Sequence, residues 1–464
     1  MIKTPSSTVI GGAGIWTPNT MIVGSTNQNL SSLIKSLFQN GEQGFAFDLN
    51  DLSTMFQDAA GTVPVTGVGQ PVSLIKDKSG RNNHAFQTVS TSRSLLGRHP
   101  TTGARNLFLY SNSFANSAWT KAQTLLNTTS IPAPDGTLTA TKMVEGTQPN
   151  AYHQLYQNYA AANTTTPVTF SIYAKAAEVT KVNIMVNWNP TGHFDLANGT
   201  ATGTGRTITP VGDGWYRCSV TGFPPNTAVR TYVVQLINSS GQEQYTGNGV
   251  SGIYVWGGQL ELGAVATAYQ ETLTQLDITE KGQGYCYYLK TDGIDDFLVT
   301  NPIDFTTTDK VSLFAGVRKL SDAATATVFE FSASKNTNSG VFALFAPVDS
   351  GVTQMAWITK GVTERAAVNN TIAAPITTVI SAKGSISGGV STLKVNGTQV
   401  SNSLDQGTGN YGNYPLYIGR RGGTSIPFNG HIYSLIGISR LTTDAETLAL
   451  EKAIAKATGV TLNV

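Results

Sequence analysis

The feature that most constrains this chain is a strict apolar–polar alternation in short runs, each closed by turn-forming residues. In Val168-Thr169-Phe170-Ser171-Ile172-Tyr173-Ala174, Val168, Phe170, Ile172 and Ala174 fall at every second place. An extended strand sends successive side chains to opposite faces, so such a run buries one face against a core. Lys181 to Trp188 and Trp215 to Val220 alternate in the same way, and Thr231 to Ile237 and Gly252 to Trp256 follow. Between them stand Pro134-Asp135-Gly136, Asn189-Pro190-Thr191-Gly192 and Gly212-Asp213-Gly214. Short strands with frequent turns and almost no helical periodicity predict a sandwich or jelly roll. Further on, Asn396-Gly397 sits between Leu393-Lys394-Val395 and Thr398-Gln399-Val400, the strongest short hairpin signal.

Two stretches break the pattern. Leu30, Leu33, Ile34, Leu37 and Phe38 recur at helical spacing, with Asn40-Gly41 as a stop. One short amphipathic helix beside a Gly-rich opening cannot bury itself. It must dock on its own body, on sister subunits or on a larger assembly, and residues 1–42 are read as an anchor or oligomerisation segment. Gly11-Gly12-Ala13-Gly14 reads as flexible linker. At the other end, Thr443 to Glu446 forms a capping box, Leu450, Ile454 and Ala457 share a face, and Gly459 closes the helix.

A chain of 464 residues exceeds one ordinary core. Hydrophobic residues at 40% and aromatics at 9% are enough to bury more than one. Charged residues are only 12%, about half the usual share, which suits extended β-structure and large interfaces. The net charge of +2 comes with basic residues scattered along the chain, so nucleic acid is excluded as an expected partner. No apolar run approaches the roughly 18 residues that cross a bilayer, so no membrane insertion is expected. The N-terminus makes a poor secretory signal. Cys218 and Cys286 lie far apart and support neither a disulfide framework nor a metal knot.

Three segments near the C-terminus carry a resemblance. Leu416-Tyr417-Ile418-Gly419, then Phe428 to Leu435, then Leu441 to Glu446 resemble, in order and spacing, the closing segment of concanavalin A-like (laminin-G-like) lectin domains. Lys394 to Gly397 resembles that family's hairpin, and Thr291-Asp292-Gly293-Ile294-Asp295-Asp296-Phe297 its "DG-DD" strand opening. The family's early turn resembles Asp77 to His84, far upstream, and the piece around it is too short to fold alone. The intervening block resembles carbohydrate-binding-module-like jelly rolls of bacteriophage structural proteins. Asn106 to Ser111 with Trp119, Asp213 to Arg217, and Ile253 to Glu261 carry that likeness.

The resemblances imply an all-β fold of two β-sandwich (jelly-roll) domains, one inserted in the other, with a short N-terminal helix or anchor segment and a C-terminal helix. The expected borders are 1–42 for the anchor, 43–104 plus 284–464 for the lectin-like sandwich, 105–272 for the inserted jelly roll, and 273–283 for a linker. They imply a structural component of a bacteriophage virion (tail fibre, spike, collar or capsid-attached fibre), assembled in the host cytoplasm and exposed on the particle. A homotrimer is expected, bound to other virion proteins through residues 1–42, with host-surface polysaccharide as a further partner. A carbohydrate-binding adhesin outside a virion and a secreted polysaccharide hydrolase are the alternatives.

The paired-carboxylate E-x-D-x-x-E run of hydrolases with this fold is absent, so no catalytic residue is assigned. Asp292, Asp295 and Asp296 are the nearest acidic cluster, read as loop structure, with calcium ligation as the other reading. The five histidines (His84, His99, His153, His193, His431) occur singly, without zinc spacing. Where related jelly rolls carry a calcium aspartate, this chain has Val255-Trp256-Gly257-Gly258. No metal and no cofactor are assigned. Sugars stack their apolar C–H faces on exposed aromatic rings, with Asn, Gln or Asp alongside. Trp188, Asn189, His193 and Asp195 form the best cluster of that kind, and Trp357 is a candidate on the other domain. Trp119, Trp215 and Trp256 sit inside structural motifs and are expected in cores.

Overall fold

The computed structural model describes residues 9–11, 14–16, 23–24, 29–160, 163–185, 192–369 and 371–463. The chain divides into two units, Met1–Leu96 with Tyr287–Val464, and Gly97–Cys286. Both are β-sandwiches, and among the described residues the α-helices are Leu30–Leu37 and Asp444–Thr458. The borders expected at 104/105 and 272/284 thus move outward to Leu96/Gly97 and Cys286/Tyr287.

In the discontinuous unit, one sheet is built around Asn429–Ile438 and Lys310–Lys319, followed by Ile376–Ser385, Val390–Val395 and Thr398–Asn402. The free side of Asn429–Ile438 is shared by two strands from distant parts of the chain. Gly44–Asp48 pairs with Ser434 to Ile438, and Leu289 to Asp292 pairs with Asn429 to Ile432. The facing sheet runs Glu364–Asn369, Met355–Lys360, Val341–Phe345, Thr327–Phe331, Leu416–Ile418, Leu298–Thr300, Ala85–Phe86, Leu74–Ile75 and Met55–Phe56. Phe45, Phe47, Leu313, Phe329, Phe342 and Trp357 belong to the core between them.

The first sheet is apolar on both faces. Ala46, Phe314, Ile436 and Ile438 point away from the core and are covered by Leu30, Ile34, Leu37 and Phe38 with Leu450 and Ile454. That explains why Gly44–Asp48 is buried at every position. The helix Leu30–Leu37 is capped by the Asn29 side chain, which accepts from Ser32 N. Its apolar face is therefore used within its own chain, the first of the three docking surfaces expected for it, and not by a sister subunit or a larger assembly. Of the stretch read as flexible linker, Gly11 and Gly14 stand in strands, since Val9–Gly11 pairs with Gly14–Trp16, which pairs with Val23–Gly24; Gly12 and Ala13 lie outside the described residues.

Local signals read from the sequence organise this unit. Asp77 accepts from the backbone N–H groups of Ala46, Ser79 and Asn83, while His84 Nδ1 accepts from Asp77 N. Asn396 and Gly397 have φ of 51° and 88°, the positive values of a type I′ hairpin turn. Thr443 and Glu446 exchange both bonds of the capping box, and Gly459 is left-handed at φ 73°. His431 stacks on Tyr288 with ring centroids 3.9 Å apart.

The inserted unit is a sandwich of two six-stranded sheets. One runs Thr124–Thr128, Thr141–Glu145, Gly252–Leu262, Val168–Ala176, Trp215–Gly222 and Arg206–Gly212. The other runs Thr200–Ala201, Phe194–Asp195, Lys181–Met185, Val229–Ile237, Gln154–Ala160 and Thr120–Ala122. Phe108, Trp119, Phe170, Ile172, Cys218, Tyr232 and Leu260 fill the core between them. Asn106 ties the opening of the unit to its long strand: its Nδ2 donates to Gly258 O and Gln270 O, and its Oδ1 accepts from Leu260 N. The ends of the unit meet where Thr101 N donates to Gly284 O at 2.9 Å, the closeness that insertion requires. The expected linker 273–283 is instead half of a hairpin, Gln270–Thr274 against Asp277–Glu280.

Candidate functional site

The site begins with a defect in one strand. Gly252–Leu262 pairs with Val168–Ala176, but Ser171 faces Gln259 while Tyr173 faces Trp256. Gly257 and Gly258 together stand opposite Ile172, which makes a β-bulge. Gly257 has φ 61°, and a Cβ there would meet the Tyr173 ring at 3.0 Å and the Tyr269 ring at 3.2 Å. The extra residue flips the parity of the strand. Ile253 and Val255 point into the core before it and Leu260 after it. Trp256, next to inward-facing Val255, takes the outer face beside Tyr173 by ordinary alternation, and the bulge is what returns Leu260 to the core.

On that face Tyr173, Trp256 and Tyr269 pack together, with centroid separations of 5.2 Å, 6.1 Å and 4.5 Å. Trp256 Nε1 donates to Thr139 Oγ1 at 2.9 Å. The Tyr269 hydroxyl lies 2.7 Å from Ser111 Oγ. The Arg217 guanidinium sits 5.3 Å from the Tyr173 ring centroid, and its Nη2 donates to Ser171 Oγ. Burial pushes the phenols of Tyr269 and Tyr173 up, so both stay neutral hydrogen-bonding groups.

These rings form one wall of a cleft of about 490 Å³ within the inserted unit. The turn Pro134-Asp135 with Thr137, the hairpin end Thr279-Glu280-Lys281-Gly282 and Tyr285 complete its lining. Tyr285 is 41% exposed, with the Arg98 guanidinium 4.7 Å from its centroid. Arg98 is held in turn by Asp277 at 2.6 Å. Glu280 is buried. Desolvation raises its pKa, but donation from Gln270, Thr102 and Arg105 outweighs this and holds it below the ordinary glutamate value. Arg105 Nη2 lies 2.8 Å from it. Glu271 accepts from Asn112 Nδ2 at 2.7 Å. The cleft therefore combines aromatic surface, carboxylate acceptors and one exposed lysine, which is how pockets bind polyhydroxylated ligands.

The residues singled out from sequence fare differently. Trp188 and Asn189 lie outside the described residues. His193 and Asp195 are half-buried, and Asp195 closes its own turn by accepting from Ala197 N and Asn198 N. The Asn198 side chain, first among its neighbours, holds the Asp195 carboxyl down. Trp357 is corrected. It is 0% exposed, packs against Phe329 and Phe342, and donates Nε1–H to Lys383 O. It has no face to offer a sugar. Trp119 is core, whereas Trp215 and Trp256 are buried on the other side of their sheet, in a cluster with Ala133 and Ala140.

In the "DG-DD" turn, carboxylate oxygens of Asp292, Asp295 and Asp296 lie within 4.8 Å of one another. Asp292 Oδ1 accepts from Ile294 N and Asp295 N, Asp296 Oδ2 accepts from Asp292 N, and Asp295 accepts from Ser92 Oγ. Asp292 and Asp296 are thus engaged in closing the loop, and Asp295 ties it to Ser92. The cleft was missed because its parts come from separate stretches of sequence. The Gly257-Gly258 pair inside a strand was the available signal.

No family model matches the chain, and no curated protein matches it. Solved structures do. The sialidase carbohydrate-binding domain (CBM40) of Ruminococcus gnavus, bound to α2,3-sialyllactose, is 15% identical, with 31% of this chain and 83% of that one covered and a TM-score of 0.26. The heptameric SAP-like pentraxin of Limulus polyphemus is 11% identical, with 36% and 80% covered and a TM-score of 0.28. The LG4-5 domains of the mouse laminin α1 chain are 12% identical, with 65% and 90% covered and a TM-score of 0.26. At such scores the sandwich architecture rests on the strand pairing described above.

Proposed function

We propose that this protein binds glycans without catalysis and is displayed on a bacteriophage virion, with the cleft beside Trp256 as its sugar site. The observation that carries the binding role is that the half-buried rings of Tyr173 and Tyr269, backed by buried Trp256, and the exposed ring of Tyr285 line one cleft together with carboxylate acceptors. Aromatic faces take up the C–H surface of a pyranose, and carboxylates accept from its hydroxyls. A hydrolase would need one carboxyl held protonated near neutral pH. Glu280 is driven the other way by Arg105, Thr102 and Gln270. The virion setting is supported by the likeness of Asn106 to Ser111, Asp213 to Arg217 and Ile253 to Glu261 to phage jelly rolls, and by a charged content of 12%.

A glycan array probed with the full chain tests the binding role. Tyr285→Ala should weaken the best ligand about tenfold, the ~1.4 kcal/mol of one lost ring contact, with no change in unfolding midpoint. A blank array across bacterial and host polysaccharides would remove the reading. Deleting residues 1–28 keeps the docked helix Leu30–Leu37 and should leave a folded body that no longer joins particles. Normal incorporation of that truncation would remove the anchoring role.

A further inference from the structure

We propose that the cleft selects glycans free of acidic groups, neutral or amine-bearing, and rejects carboxylated and sulfated ones. This rests on the cleft being the sugar site. The charges around it are unequal. Asp135, Glu271 and Glu280 line it, against Lys281 as the lining cation. Arg105 offsets Glu280 at 2.8 Å and Arg98 pairs with Asp277 at 2.6 Å, while Arg217, over the Tyr173 ring and hydrogen-bonded to Ser171 and Thr267, does not line the cleft, which leaves Asp135 and Glu271 against Lys281. Asp135 accepts from Thr137 N and Oγ1, and Glu271 from Asn112, all neutral donors that leave the negative charge in place.

The field of those two carboxylates reaches the aromatic wall. After burial, which is the largest influence, Glu271 and Asp135 both push the Tyr269 phenol further up. An incoming carboxylate or sulfate would meet the same repulsion, in a cleft whose walls exclude part of the screening water. A hydroxyl pair or an ammonium group instead supplies the donors that the carboxylates lack. Specificity of this kind comes from a repulsive element as much as from an attractive one.

The test uses the neutral glycan that binds best on the array and its sialylated or sulfated counterpart, titrated calorimetrically against the full chain. The acidic member should bind about tenfold more weakly or worse. In Asp135→Asn/Glu271→Gln that ratio should fall toward unity. Asn and Gln keep an acceptor oxygen for Thr137 and Asn112, so the turn and the wall stay in place, and the unfolding midpoint serves as the check. Acidic glycans ranking tightest on the wild-type chain, or a ratio untouched by the double substitution, would overturn the inference while leaving glycan binding intact. A blank array removes both.

Discussion

At the scale of single residues, charge placement in this chain is mostly local and makes clear pH predictions. Burial, and then the charge of Asp292 with a smaller share from Asp295, pushes the Asp296 carboxyl up to about 6. A carboxyl raised in the folded state favours folding while protonated. Its contribution is complete below the unfolded value of about 4 and is lost as pH rises to about 6. Asp296→Asn should therefore stabilise the protein at pH 8 by about 2 kcal/mol and do little at pH 4. Denaturant titrations at the two pH values, with and without EDTA, check this. A variant less stable at pH 8 only when calcium is present would show the cluster to be a metal site instead. Glu446 is the opposite case. Hydrogen bonding from Arg440 holds it at about 2, so its contribution is present above the unfolded glutamate value and is lost as pH falls through about 2. Glu446→Gln should cost about 1 kcal/mol at pH 7 and nothing near pH 2. The capping box around Glu446 was legible because Thr443 and Glu446 are three residues apart on one helix turn. The burial of Trp357 was not, because alternation places a side chain on a face without saying what covers that face.

At the scale of elements, the bulge at Gly257-Gly258 and the docked N-terminal helix carry the consequences. Gly257→Ala puts a Cβ against the Tyr173 and Tyr269 rings at a left-handed φ of 61°. It should cost about 2 kcal/mol and displace the aromatic wall, so glycan affinity should fall more than in Tyr285→Ala. Thermal unfolding and titration of the same preparations separate the two effects. Ile34 is fully buried against Leu450, Ile454 and the outer face of the sheet. Ile34→Ala should cost about 3 kcal/mol, measured by chemical unfolding, because it leaves a cavity under the helix. An unchanged midpoint would mean that the helix is not docked in solution. The helix itself was plain from the spacing of Leu30, Ile34 and Leu37. Its docking surface was not, since Ala46, Phe314 and Ile436 interleave with core residues in strands that read as continuous apolar runs.

At the scale of the whole molecule, the insertion makes each unit testable by itself. Thr101 and Gly284 join the two ends of Gly97–Cys286, and its core is closed by its own residues. Residues 97–286 expressed alone should unfold cooperatively and keep the glycan affinity of the full chain. A non-cooperative melt would show that the unit depends on the rest of the protein.

The sequence by itself determined the β class, the hairpin at Asn396-Gly397, the helix caps and the interrupted frame. Each of these is written in residues close together, or in motifs whose order survives interruption. Only the tertiary structure decided the cleft. A one-residue bulge let Trp256 face outward while Leu260 returned to the core, a stretch that reads as linker folded into a hairpin, and Asp135, Tyr173, Glu271 and Tyr285 came together around one cleft. Periodicity reports which face a side chain takes within one strand. Which strands meet, and where one of them slips by a residue, is settled only by packing.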